Sequence, residues 1–196
     1  MSAARTLDRR ASVAQLFRNR GDSLLVSGLG GPTSDAYGIG DHPLTFYLWG
    51  AMGGAAMVGL GLALAQPARR VIVLTGDGEM LMGMGALATI GVQKPANLAI
   101  VVIDNGLYAE TGLQQAHTAR GVDLAGVAQA CGVKAEVVET QAQLDAVEPR
   151  LYREPGPFFM NLRVPPVASI LELPARDGPY LRSRFRTALL GPDCHL

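Results

Sequence analysis

Two short triplets carry the residue types best suited to hold a charged ligand. Asp77 sits between glycines in Gly76-Asp77-Gly78, and Asn105 is the centre of Asp104-Asn105-Gly106. A carboxylate is a hard oxygen ligand for a divalent cation, and the amides of flanking glycines and of a helix start donate to phosphate oxygens. The Asn105 side-chain oxygen and a backbone carbonyl just beyond it would add neutral donors. Together they read as the protein's share of an octahedral Mg2+ site, with diphosphate and water as the other ligands. The plainer alternative is that Asp77 and Asn105 are turn residues, which are common at strand ends.

The surrounding elements decide whether the triplets can meet. Residues 71–75 and 98–103 are continuous apolar runs of the kind found in a parallel sheet covered on both sides. A helix over 79–91, closed by Pro95, connects them. If the two strands run parallel, Asp77 and Asn105 emerge at the same carboxyl edge, where open α/β sheets bind ligands.

A strand over 23–27 feeds Gly28-Leu29-Gly30-Gly31-Pro32-Thr33-Ser34, a loop that suits a phosphate or serves as a plain turn. No helix is expected after it, because Pro43 and several glycines interrupt the run to Tyr47, so it fails as a dinucleotide-binding fingerprint. Residues 44–49 lead into Gly50-Ala51-Met52-Gly53-Gly54 and a small-residue helix to Ala65. Each Gly costs such a helix roughly 1 kcal/mol relative to Ala, so it needs close packing against a sheet or a second chain. Thr6 is expected to cap a helix to Asn19, with Arg9, Arg10, Arg18 and Arg20 on its solvated face. Downstream come a helix over 122–130, a strand over 134–139, a Thr140-capped helix to Tyr152 and a strand over 157–164.

The expected fold class is α/β: a single domain over residues 1–166, with a mainly parallel central sheet and helices on both faces. Residues 167–196, with Arg176, Arg182, Arg184 and Arg186, are expected to form a C-terminal arm packed on the domain or on a neighbouring subunit. The 196 residues are 48% hydrophobic, enough for one core, and 17 Lys plus Arg balance 17 Asp plus Glu. That neutrality argues against nucleic acid or an anionic membrane as a partner. Two cysteines without metal-ligand spacing suit a reducing, cytoplasmic setting. Residues 1–10 lack the apolar core of a secretory signal, and the stretch 51–66 is too short and glycine-rich for a membrane span.

Gly76-Asp77-Gly78, followed after a helix and a strand by Asn105-Gly106, resembles the thiamine-diphosphate signature of 2-oxo acid decarboxylases and acetolactate synthases. The usual form has paired asparagines; here the first is Asp104, and the metal ligand of the family is the second. The resemblance implies Asp77, Asn105 and the backbone oxygen of Leu107 as Mg2+ ligands. Gly28, Gly76, Gly78, Glu79 and Tyr108 are counted with them as cofactor contacts. Gly50-Ala51-Met52-Gly53 is similar to the segment that grips the aminopyrimidine in this family. Gly50 would accept from the 4′-amino group, and Met52 would hold the cofactor bent, which makes proton removal from thiazolium C2 intramolecular. Without its flanking glycines, Met52 would read as a core methionine.

Residues 106–118, with 46–53, are most similar to the small separate subunits of sulfopyruvate and phosphonopyruvate decarboxylases. Glu110 and Thr111 stand where such enzymes keep residues facing thiazolium and substrate, a catalytic or orienting place. His117 is either an acid or substrate ligand that titrates near neutral pH, or a loop-to-helix connector. Enzymes of this kind also need a glutamate against N1′ of the pyrimidine, and a single domain of this size holds only one half of the site. The resemblance therefore implies the diphosphate-binding subunit of a heteromeric decarboxylase of a small 2-oxo acid. A separate pyrimidine-binding subunit would complete it in an α2β2 assembly. The alternatives are an acetolactate-synthase-like carboligase, an aldehyde-oxidising enzyme, and a non-catalytic cofactor-binding or assembly module.

Overall fold

A computed structural model describes residues 6–166 and 172–195. Six strands form one wholly parallel sheet in the order β2-β1-β3-β4-β8-β7. They are β1 (Leu24–Ser27), β2 (Thr45–Tyr47), β3 (Val71–Gly76), β4 (Leu98–Asp104), β7 (Lys134–Val138) and β8 (Phe158–Arg163). A short antiparallel pair, β5 (Leu107–Tyr108) with β6 (Gln114–Gln115), stands apart. Val71, Val73, Leu98 and Ile100 point into one core, and Ile72, Leu74, Ala99 and Val101 into the other. Burial on both faces is why these segments read as unbroken apolar runs rather than as alternations.

The helices are α1 (Arg9–Phe17), α2 (Gly31–Gly38), α3 (Ala55–Ala65), α4 (Asp77–Met82), α5 (Ala86–Gln93), α6 (Leu124–Ala130), α7 (Gln141–Arg153) and α8 (Gly178–Leu190). Helices α3, α5 and α6 cover one face, and α1, α2 and α7 the other, as the expected fold class requires. The small residues of α3 have a local cause: a Cβ on Gly59 would overlap the Val73 side chain, so only glycine lets the helix lie this close to β3. Helix α8 runs along β2 and puts Leu181 into one core and Phe185 into the other, covering an edge strand that would otherwise be exposed. Arg184 pairs with Asp41, and Arg176 lies 5.2 Å from the centre of the Trp49 ring. The first five residues of the expected arm, 167–171, lie outside the described residues, as do residues 1–5.

Four expectations are corrected. Helix α1 starts at Arg9, capped by Asp8, whose carboxylate accepts from Ala11 N–H at 2.7 Å; Thr6 lies ahead of it. Arg9 and Arg20 are not solvated: Arg9 pairs with Asp35, and Arg20 donates to Thr45 Oγ1 at 2.7 Å and to the Leu44 carbonyl at 3.1 Å. A helix does follow the Gly28 loop, because Pro32 falls in the first turn of α2, where no amide partner is required. The helix expected over 79–91 begins at Asp77 and breaks at 83–85. There the backbone of Gly83 must lie against Gly53, since a Cβ on Gly83 would overlap the Gly53 carbonyl. No helix of the described residues is long and apolar enough to cross a membrane.

Candidate functional site

Strands β1, β3 and β4 are neighbours and parallel, so the loops that leave them share one edge of the sheet. After β1 the chain turns into α2 on one face, and after β3 into α4 and α5 on the other. Divergent connections from adjacent strands open a crevice at the carboxyl edge, the usual ligand place in such sheets. One pocket fills it, lined by residues 29–32, Met52, Gly76 to Glu79, Ile103, Asn105, residues 107–111 and Arg9.

Asp77 opens α4 and is 1% exposed. Thr118 donates its hydroxyl to Asp77 Oδ2 at 2.6 Å. Burial nevertheless pushes the carboxyl up to about 6, with the charge of Asp104 acting in the same direction against the Thr118 bond. Asp77 makes no salt bridge to a cationic side chain among the described residues. A buried carboxylate without countercharge is costly, and a divalent cation is the group that relieves it.

Asn105 follows β4 and is 9% exposed; its Oδ1 accepts from Leu107 N–H at 2.9 Å. Gly106 takes φ +73°, and a Cβ there would press on Ala119, so glycine fits the turn. The β5–β6 pair and the bond from Ala116 N–H to the Gly106 carbonyl at 2.8 Å fix the course of Leu107 and Tyr108. The Tyr108 ring lies over Gly78, where a Cβ would come within 2.5 Å of it. No cluster of three His, Cys, Asp or Glu side chains occurs among the described residues. The oxygen donors at hand are therefore one carboxylate, one amide and backbone, which fits a hard cation that takes its other ligands from diphosphate and water.

The remaining expected residues divide. Glu79 is 5% exposed and accepts from Thr75 Oγ1 at 2.9 Å. Its carboxylate occupies the space a Cβ of Gly28 would take, and the amides of Ala55, Leu29 and Gly53 favour its charged form against burial, which raises its pKa. Glu79 thus ties together the loops after β1 and before α3. Gly28 and Gly50 do not line the pocket, whereas Met52, Gly76, Gly78, Tyr108, Glu110 and Thr111 do. His117 lines an adjoining crevice with Met52, Tyr108, Thr111, Met82 and Met84. Sequence reasoning missed Arg9 and Thr118. The adjacency of Thr118 to His117 was the one available signal for the latter, and nothing marked Arg9.

Residues 36–162 match the family of thiamine pyrophosphate enzymes, C-terminal TPP binding domain. The chain belongs to this family. It is 41% identical over 179 residues to the sulfopyruvate decarboxylase subunit beta of Methanothermobacter thermautotrophicus, covering 91% of this chain and 94% of that one. It is 41% identical over 148 residues to a phosphonopyruvate decarboxylase of Streptomyces viridochromogenes, covering 74% of this chain and 36% of that one. A thiamine diphosphate-dependent 4-hydroxybenzoylformate decarboxylase from Rhodococcus jostii superposes with a TM-score of 0.70 over 86% of this chain and 34% of that chain. At 21% identity, that likeness speaks to the fold alone. The resemblance read from Gly76-Asp77-Gly78 and Asn105-Gly106 is thereby borne out at the level of family, and the pocket lining from Met52 to Thr111 lies within the matched residues, whereas Arg9 and residues 29–32 precede them.

Proposed function

We propose that the chain is the diphosphate-binding subunit of a heteromeric decarboxylase dependent on thiamine diphosphate and Mg2+. Its substrate is a small 2-oxo acid of the sulfopyruvate or phosphonopyruvate type, and its setting is the cytoplasm. A separate pyrimidine-binding subunit supplies the activating glutamate in an α2β2 assembly. The reading is carried by the buried, uncompensated Asp77 carboxylate, which lines one pocket with Asn105 and Leu107 at adjacent strand ends. A relative that is called a subunit and is matched over 94% of its length supports the heteromer.

Asp77, Asn105 and the Leu107 backbone oxygen would hold the cation, and the start of α4 with Gly76 and Gly78 would receive diphosphate. Met52 and Tyr108 line the pocket and would shield a bound cofactor from water. Glu110 and Thr111 stand at its rim to orient substrate, and His117 faces the same mouth from the adjoining crevice. When bound, the cofactor supplies the electron sink for loss of carbon dioxide.

Calorimetric titration of the purified chain with Mg2+ and thiamine diphosphate, with and without the co-expressed partner, tests this reading. Asp77→Ala is expected to cost more than the roughly 10- to 100-fold loss typical of an outer-shell partner. Carbon dioxide release should require both chains and should favour sulfopyruvate or phosphonopyruvate over pyruvate. Turnover by this chain alone would sink the two-subunit reading, and metal-dependent binding unchanged in Asp77→Ala would sink the site.

A further inference from the structure

We infer that Arg9 is an anion-binding residue of the pocket, clamped by Asp35 so that one edge of its guanidinium is turned to a phosphate, phosphonate or sulfonate oxygen. The inference rests on the proposed function, in which both cofactor and substrate are anionic. Arg9 comes from α1, far in sequence from every strand-end residue, yet it lines the pocket that holds Asp77 and Asn105. Its Nε lies 2.6 Å from Asp35 Oδ2, and its Nη2 donates to Asp35 Oδ1 at 3.0 Å. The Asp35 side chain is fully buried and that of Arg9 is 11% exposed, so this fork-to-carboxylate pair is a fixed support rather than a surface contact.

The clamp uses two of the three guanidinium nitrogens. The third, Nη1, lies over the backbone of Gly31, 3.2 Å from where a Cβ of that residue would be. Among the described residues it has no hydrogen-bond partner. A Cβ at 31 would press on the guanidinium tip, so glycine lets it lie on the chain there without a shift, and the adjacent Gly30 has the Glu110 carboxyl carbon 3.4 Å from its own Cβ position. The Glu110 carboxylate and the Arg9 guanidinium thus flank neighbouring residues of the pocket wall without an ion pair between them. Two sources would present the oxygen: the terminal phosphate of the cofactor, or the distal anionic group of the 2-oxo acid.

Two variants of the full chain separate support from binding. Arg9→Lys keeps a cation for Asp35, but a single ammonium cannot serve both carboxylate and ligand. Arg9→Met with Asp35→Asn removes the buried pair together; Arg10, 3.6 Å from Asp35, is part-exposed and keeps its contact with Glu172. Both are expected to keep a near wild-type thermal midpoint. In calorimetry, each should bind Mg2+ with inorganic pyrophosphate, or sulfoacetate on the cofactor-loaded complex, roughly 10- to 100-fold more weakly, the loss of one charge-assisted hydrogen bond. Weakening confined to pyrophosphate and thiamine diphosphate assigns the oxygen to the cofactor. Weakening confined to sulfoacetate, with KM raised for sulfopyruvate and not for pyruvate, assigns it to the substrate. Wild-type affinity for every probe in both variants overturns the inference and leaves the proposed function standing. A wild-type chain that binds pyrophosphate through Arg9 but not thiamine diphosphate overturns the proposed function instead.

Discussion

Asp77 and Glu79 differ from Asp35 and Asp104 in having no cationic partner among the described residues, and Asp77 stands beside Asn105 at the strand ends. Asp35 has Arg9, Asp104 accepts from Asn161 at 3.0 Å and lies 3.7 Å from Arg163, and Glu79 is set among backbone amides. Asp77 has the Thr118 hydroxyl and the amides of its own helix start, and burial outweighs them. Its carboxyl rises from an ordinary 3.8 to about 6. A raised carboxylate stabilises the fold while protonated, so its contribution is complete below pH 3.8 and is lost as the pH climbs through about 6. Asp77→Asn mimics the neutral form at every pH. In denaturant titrations without metal, the stability of Asp77→Asn relative to wild type is expected to grow by roughly 3 kcal/mol between about pH 4 and about pH 7. Saturating Mg2+ with pyrophosphate should shrink that gap at about pH 7, and cation affinity should fall below about pH 6 as protons compete. A gap that stays flat across the range would show that Asp77 carries no uncompensated charge.

At the scale of elements, the break between α4 and α5 positions Met52. The α4 helix ends on Gly83, whose backbone lies against Gly53, and Gly53 takes φ +90° one residue after Met52. Gly83→Ala would drive a methyl into the Gly53 carbonyl, whereas Gly85→Ala would meet nothing within 4 Å. The first substitution is expected to weaken thiamine diphosphate binding by about tenfold or more, the second to leave it unchanged, by the same titration. Equal affinities would mean that the turn does not set the Met52 wedge. Such close approaches explain which elements were legible beforehand. Strands β3 and β4 announce themselves through uninterrupted apolar side chains, and the Thr140 cap of α7 through a capping box with Gln143. The break at 83–85 and the start of α2 depend on glycine and proline fitting a neighbour or a first turn, and tertiary contact rather than local propensity decides those.

At the scale of the molecule, the parallel sheet explains why half of the site was readable and half was not. Asp77 and Asn105 each follow a strand, so order along the chain becomes nearness in space; Arg9 and Thr118 arrive from a remote helix and a loop, where no spacing rule connects them to the pocket. The same geometry leaves the pocket mouth open beside an apolar surface. Met52, Met82 and Met84 line the crevice at the mouth, and Met57 and Leu64 on α3 and Val92 on α5 are 43%, 51% and 79% exposed. In the proposed complex, the pyrimidine-binding partner that closes the mouth is expected to extend from there along α3 and α5, to Leu64 and Val92 near the far ends of these helices. Each large apolar side chain removed from water there is worth roughly 1.5–3 kcal/mol. Leu64→Glu and Val92→Glu should each weaken association with the co-expressed partner by about tenfold or more, measured by analytical ultracentrifugation, because the introduced carboxylate must be buried unpaired. Neither side chain belongs to the buried cores, so the thermal midpoint of the isolated chain should hold. Leu190→Glu, at the end of α8 and 53% exposed, controls for a general effect of added charge and should leave assembly intact. If the α8 variant disrupts the complex and those on α3 and α5 do not, the partner sits against the β2 edge, and the pocket mouth must be closed from there.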